Sequence, residues 1–313
     1  MLRRNLTFGT MFSGGIDSPS LAMKMMPFTS EQAFAIENDK FMCQLLRLNA
    51  KPHLLLQQDV EDVGLCYLPY VDVFFCSPPC QPYSKIGEGR EADDRRGLWK
   101  FGAAYIRRHI PSLFIFETVP EFQKSSEFEE MLDSFSEVYI LDFKVLDSHD
   151  YGSIQKRKRL FIVGKLASPV SWPTTRRRVR SVCSILEEDV PESYYYTEKG
   201  LEYLEKRKPW GTRIHDLSCR SMPAFCKSYG HQAHWKHSIR MPDGRIRKMT
   251  PREVLRLFGI PDTFDCGNLS DTRLYYAAGN AIDIHVLVAL LEELLKPEDL
   301  YLSTDEEDFE EMN

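Results

Sequence analysis

The sequence predicts an α/β fold: a doubly wound, mostly parallel sheet with a small irregular domain inserted late in the chain. Three observations carry this. Short apolar runs alternate with helix-compatible stretches as far as Gly164, the rhythm of strands covered on both faces and joined by crossover helices. Periodicity then dissolves in a stretch rich in Arg, Tyr, His and Ser. Order returns at Thr250-Pro251-Arg252-Glu253, where Thr at N-cap, Pro at the first helical position and Glu at the third form a capping box.

In chain order, Leu6–Phe12 reads as a strand, followed by a Gly-rich turn and the helix-compatible Ser20–Met26. Ala33–Ile36 is a strand with Lys40–Asn49 as its helix. His53–Leu56, Val71–Cys76, Leu113–Phe116, Val138–Val145 and Leu160–Val163 supply further strands. The capped helix runs through Phe258 to Gly259, and Ala281–Leu295 is a last helix. The arrangement is Rossmann-like, and such sheets bind ligands at the carboxyl ends of their strands. The expected units are 1–167, 168–246, helices returning to the first unit over 247–297, and an acidic tail over 298–313.

Composition excludes several classes. With 313 residues, 43% hydrophobic and 27% charged, the chain is neither disordered nor too small for a core. No run of 18 apolar residues and no charged-then-apolar leader is found, so no membrane partner is expected. Eight cysteines are too few for a disulfide scaffold at this length, and a reducing, cytoplasmic setting is expected. The net charge of −6 conceals a split: eight acidic residues and no basic one follow Lys296, and the remainder carries +2. Between Trp172 and Arg247 stand fifteen Lys/Arg against nine Asp/Glu, a nucleic-acid footprint or an ordinary solvated face.

Four segments and two lone acidic residues carry chemistry. In Phe12-Ser13-Gly14-Gly15-Ile16-Asp17-Ser18-Pro19, glycine lets the backbone approach a nucleotide-like ligand. Glu37 and Asp59, each just after a strand, could hold ribose hydroxyls and an adenine amine, or merely cap the next helix. Cys80, between Pro79 and Gln81 after an apolar strand, sits where a rigid loop presents a nucleophile; its bland alternative is a buried small side chain. Glu117 ends another apolar strand, an approach that raises a carboxyl's pKa and suits it to acid work. In Gln155-Lys156-Arg157-Lys158-Arg159, alternation puts Gln155, Arg157 and Arg159 on one face.

Taken in order, these segments resemble the cytosine-C5 DNA methyltransferases. The matching elements are Phe12-Ser13-Gly14, Glu37, Asp59, Pro79-Cys80-Gln81, Arg96-Gly97, Glu117-x-Val119, Gln155-x-Arg157-x-Arg159, Thr250-Pro251-Arg252-Glu253 and Gly279-Asn280. They span most of the chain, and the basic insertion lies where that family carries its target-recognition domain. A second resemblance competes at one turn: Ser13 to Ser18 is similar to the phosphate-binding loop of ATP pyrophosphatases. It covers that turn alone.

The methyltransferase resemblance implies S-adenosylmethionine as cofactor and double-stranded DNA as substrate. Cys80 is then the nucleophile, Glu117 the group that stabilises protonation at N3 of the base, and Arg159 the group that holds the O2 carbonyl, with Arg157 a further catalytic residue. Phe12, Ser13, Gly14, Gly15, Glu37, Asn38, Asp59, Val60, Pro79, Asn280 and Ala281 form the cofactor site. Gln81, Ser84, Arg96, Gln155, Tyr229 and Arg240 contact nucleic acid. A monomer acting on a flipped cytosine is expected, alone or within a restriction-modification system. Within the same fold, a tRNA-methylating enzyme and a DNA-binding paralogue without turnover remain alternatives.

The chain departs from the family in three places. Thr118 replaces an asparagine, Ile154 replaces a common proline, and Gly14-Gly15-Ile16-Asp17 lacks a later glycine pair. In the insertion, His231, His234 and His237 are spaced by three, near Cys219 and Cys226. That spacing fits surface histidines beside phosphates as well as zinc, and no metal is expected.

Overall fold

The computed structural model describes residues 5–79, 97–206, 213–230 and 237–296. The first strand, β1 (Leu6–Met11), enters the short helix α1 (Ser18–Met23) through the glycine turn. Next come β2 (Ser30–Ile36), α2 (Lys40–Asn49), β3 (Leu54–Leu56) and β4 (Val73–Cys76). After α3 (Trp99–His109) follow β5 (Leu113–Thr118), α4 (Ser126–Asp133) and β6 (Ile140–Asp147). Then come β7 (Gln155–Lys156) and β8 (Lys158–Lys165).

Seven strands form one sheet in the order β3-β2-β1-β4-β5-β8-β6, parallel except that β8 runs against both β5 and β6. From β1 the chain winds outward through β2 to β3, then returns to lay β4 on the other side of β1. That reversal opens a crevice beyond the carboxyl ends of β1 and β4. The inner strands are buried on both faces, and β4 and β5 are buried at every position. Phe12, expected to end the first strand, instead leaves it with φ 59°.

The insertion carries α5 (Glu198–Lys206) and the short strands β9 (Ile214–His215), β10 (Met222–Pro223), β11 (Ser238–Arg240) and β12 (Ile246–Lys248). β9, β11 and β12 make a small sheet, while β10 pairs with β7 of the preceding strand segment. The expected boundary between 246 and 247 thus falls inside β12. The apolar residues of 168–246 also do not bury themselves separately. Val182, Met222, Phe225 and Ile239 share a cluster with Leu45 of α2 and with Val254, Phe258 and Leu274 from the closing helices.

Those helices are α6 (Pro251–Leu257), α7 (Asp271–Asn280) and α8 (Ile284–Leu294). The last helix expected over Ala281–Leu295 is α8, which begins three residues later, where Asp283 caps it; α7, directly before it, is not among the elements expected from the sequence. The stretch Asp271–Leu294 is long and apolar enough to cross a membrane by composition, but most of it is buried in the protein, and α8 packs on α1.

The capping box at Thr250 and Glu253 forms as predicted, and Glu253 has a second use. Its oxygens lie 2.6 and 2.7 Å from the Arg247 guanidinium, and both side chains are fully buried. Removing one partner strands the other charge, so Glu253→Ala should lose about 3–5 kcal/mol, read as a lower midpoint in chemical denaturation. Glu253→Gln, which keeps hydrogen-bonding oxygen, should lose less.

Candidate active site

A cavity of about 570 Å³ lies at the reversal point. The ends of β1, β2, β4 and β5 form its floor, and the last turn of α7 with Ala281 and Ile282 after it forms one wall. Of the residues expected at a cofactor site, Phe12, Ser13, Gly14, Glu37, Asn38, Asp59, Val60, Pro79, Asn280 and Ala281 line it. Gly15 sits behind the turn, where an added Cβ would come within 2.8 Å of Leu45 and Met42 side chains.

The turn is shaped by positive φ at Phe12, Gly14 and Asp17 (59°, 61° and 45°). A Cβ at Gly14 would meet nothing within 4 Å, so glycine is required there for its backbone conformation, not for packing against protein. The Gly14 N–H donates to Glu37 Oε2 at 2.8 Å, and Asp39 N–H donates to Oε1 at 2.9 Å. Burial pushes the Glu37 carboxyl up from its ordinary value, against the lowering effect of these bonds. A carboxylate thus takes an N–H that a phosphate cradle needs free, and the pyrophosphatase-like reading of this turn loses its chemical basis.

The capping alternatives fail too. Asp39, not Glu37, caps α2 through the N–H groups of Phe41 and Met42. Asp59 makes no side-chain cap at the turn that follows it and accepts from Asn38 Nδ2. Both acids are therefore available to the cavity.

On the opposite side β4 leads into Ser77-Pro78-Pro79, which lines the cavity. Cys80, Gln81, Ser84 and Arg96 lie outside the described residues. Cys76 is fully buried and its thiol is pushed well up by that burial, so it stays protonated and inert.

Glu117, buried at the end of β5, pairs with Arg159 of β8: Arg159 Nε lies 3.0 Å from Glu117 Oε1. Burial raises the Glu117 carboxyl above its ordinary value although Arg159 and Arg157 both pull it down. The antiparallel pairing of β5 with β8 sets this geometry, with Thr118 opposite Leu160.

Three expectations need correction. Arg157 shares the predicted face with Gln155 and Arg159, but its guanidinium donates to the backbone carbonyls of Phe225, Gly279 and Ala281, each at 3.0 Å. It clamps protein to protein instead of presenting a fork to a base. Gln155 is fully buried; it donates to Asp283 Oδ2 at 2.8 Å and accepts from Phe225 N–H at 3.2 Å. Tyr229 is buried among Phe225 and Tyr275, and its hydroxyl accepts from Met249 N–H at 3.0 Å. Neither Gln155 nor Tyr229 offers a polar atom to a nucleic acid. Arg240 is half exposed, 3.7 Å from Asp216, and keeps a surface position.

Among the described residues no group of His, Cys, Asp and Glu could hold a metal ion. His237 is buried with Nε2 2.9 Å from Pro223 O, while His231 and His234 lie outside the described residues. Sequence reasoning missed Asp283, which binds Ser153, Gln155 and His285 side chains at once. An acidic residue directly before an apolar helix was the available signal.

The doubly wound sheet with a cavity at its reversal point is a fold shared with solved methyltransferase structures. The Dnmt2 methyltransferase of S. pombe superposes with a TM-score of 0.81 at 20% identity, covering 94% of this chain and 99% of that one. Entamoeba histolytica methyltransferase EhMeth gives 0.80 at 18% identity, covering 93% and 98%. Type II methyltransferase M.NgoBI of Neisseria gonorrhoeae is 30% identical over 270 residues, 82% of this chain and 83% of its own. Type II methyltransferase M.HaeII of Haemophilus aegyptius is 27% identical over 282 residues, 86% and 87% respectively. The model of the C-5 cytosine-specific DNA methylases matches residues 6–296. The chain belongs to that family, and it is a DNA cytosine methyltransferase.

Proposed function

We propose that this enzyme methylates C5 of a cytosine flipped out of double-stranded DNA, with S-adenosylmethionine as donor and a covalent Cys80–C6 adduct as intermediate. The observation that carries the reading is the buried Glu117–Arg159 pair opening onto the same cavity as Gly14 and Glu37. The residues suit the cofactor: Gly14 leaves open space, Glu37 and Asp59 offer acceptors to ribose hydroxyls and an adenine amine, and Phe12 and Val60 offer apolar walls. Asn280 and Ala281 close the far side.

When bound, S-adenosylmethionine supplies an electrophilic methyl group, which C5 of cytosine is too weak a nucleophile to take unaided. Cys80 Sγ, as thiolate, adds to C6 and makes C5 an enamine carbon. Glu117 holds the proton at N3 during that addition, and Arg159 holds O2. After methyl transfer C5 loses its proton, the Cys80–C6 bond breaks, and 5-methylcytosine is released. The base leaves the stack first, at a cost of a few kcal/mol. Gln81, Ser84, Arg96 and Arg240 serve nucleic-acid contact, with the 168–246 segment reading the site. Likeness to Type II methyltransferases supports a role in a restriction-modification system; the enzyme then acts as a cytoplasmic monomer.

The test uses duplex DNA with 5-fluorocytosine. Fluorine cannot leave C5 as a proton does, so the enzyme should stay attached after transfer. The expected result is an adduct on denaturing gels that requires S-adenosylmethionine and is absent in Cys80→Ala. An adduct on 5-fluorocytosine tRNA and none on DNA would overturn the substrate assignment.

A further inference from the structure

Asp17 holds a left-handed backbone conformation (φ 45°, ψ 63°) and is 1% exposed. Aspartate tolerates that conformation better than most residues, but a buried carboxylate is costly unless donors surround it. They do: Gln32 Nε2 at 2.6 Å, Thr10 Oγ1 at 3.3 Å and Ser20 N–H at 3.4 Å. Lys24, the cation whose field it feels, donates instead to Asn49 O.

The same bonds continue to the cavity. Gln32 Nε2 also donates to Thr10 Oγ1 at 2.9 Å, and Thr10 Oγ1 lies 2.7 Å from Ser13 Oγ. A buried polar chain therefore runs from Asp17 through Gln32 and Thr10 to Ser13. It ties β1, β2 and the start of α1 together beneath the turn. Ser13, Gly14, Ser18 and Pro19 of that turn all line the cavity.

We propose that Asp17 is a positioning residue whose ionised carboxylate, held by Gln32 and Thr10, sets the turn that receives S-adenosylmethionine. This rests on the cofactor reading given above. Each of the three neighbours donates, so the ionised form satisfies all of them, whereas a proton on Asp17 sets donor against donor. Burial nevertheless pushes the carboxyl up to about 6, the hydrogen bonds from Gln32, Ser20 and Thr10 opposing it. The free protein thus holds a proton at acid pH, and cofactor binding favours its release. By linkage, cofactor affinity rises as pH rises through about 6. The elements about the turn carry other titratable groups: Lys24 directly after α1, Glu37 and Asp39 before α2, and Asp283 and His285 at the start of α8, which packs on α1. Glu37 contacts the same turn and is itself raised by burial, so the informative comparison is wild type against a variant at Asp17.

The experiment is calorimetric titration of the full chain with S-adenosylmethionine, and separately with S-adenosylhomocysteine, from about pH 5 to about pH 8. Wild type should gain roughly tenfold in affinity over that span. Asp17→Asn keeps a side-chain cap and tolerance of the left-handed backbone but cannot titrate. It should lose the step and bind roughly tenfold more weakly at neutral pH. Gln32→Leu removes the shortest bond to the carboxylate and should move the step to higher pH, a second reading that holds even if Asp17→Asn misfolds. Parallel pH profiles in wild type and Asp17→Asn, or an unmoved step in Gln32→Leu, would overturn the inference alone. Wild type that binds neither compound at any pH would overturn the cofactor reading, and this inference with it.

Discussion

Replacing Glu117 with glutamine is expected to lower kcat by about 10²–10³, within the range that a positioned acid contributes. Cofactor affinity should change less than about threefold, because Arg159 still meets an amide oxygen of the same shape. The pH profile separates chemistry from packing. Burial holds the Glu117 carboxyl above its ordinary value while Arg159 and Arg157 pull against it, so the protonated form persists to higher pH than for a solvated glutamate. Wild-type kcat should therefore fall on the alkaline side as that proton is lost, and the glutamine variant should lack this limb. A variant retaining both rate and limb would remove Glu117 from the reaction.

Arg157→Ala is expected to be the most destabilising change near the site, by about 3–5 kcal/mol. The carbonyls of Phe225, Gly279 and Ala281 lose their donor together, and an unsatisfied buried carbonyl costs roughly 1–3 kcal/mol. Ala281 is part of the cavity wall, so the Km for cofactor should rise roughly tenfold in whatever fraction stays folded. Arg157→Lys keeps the charge that lowers Glu117 but loses the fork, so it should share the instability and leave the Glu117 limb near wild type. Equal stability of wild type and Arg157→Ala, by chemical denaturation, would show that the clamp carries no net energy.

Much of this architecture can be read from the chain because parallel strands buried on both faces are simply apolar runs. Lys40–Asn49 forms the helix predicted, residue for residue, and the Thr250 box is local chemistry that does not depend on the rest of the molecule. The acids Glu37, Asp59 and Glu117 are legible for a related reason: each follows an apolar run, and strand ends meet at the ligand crevice. What escapes sequence is whatever depends on distant partners. The insertion's strands are two or three residues long, too short for periodicity to show. Gln155 and Tyr229 belong to polar or basic stretches and look like surface, yet each is buried because a backbone group far along the chain satisfies it. Asp17 is visible in sequence only as a departure from the family pattern; its partner Gln32 gives no signal of its own.

Gly279 bears on any attempt to exchange the proposed recognition segment. A Cβ there would lie 2.2 Å from Lys227 N and 2.3 Å from its Cα, so the backbone of 226–227 is laid directly on the helix that ends in the cavity wall. Phe225 beside it is held by its N–H and its carbonyl, by Gln155 and Arg157. A graft that replaced the whole of 168–246 with a relative's segment would therefore import a foreign backbone into the seat of the catalytic half. The transplantable cassette is narrower than the insertion: residues 222–230 belong to the host and should stay with it.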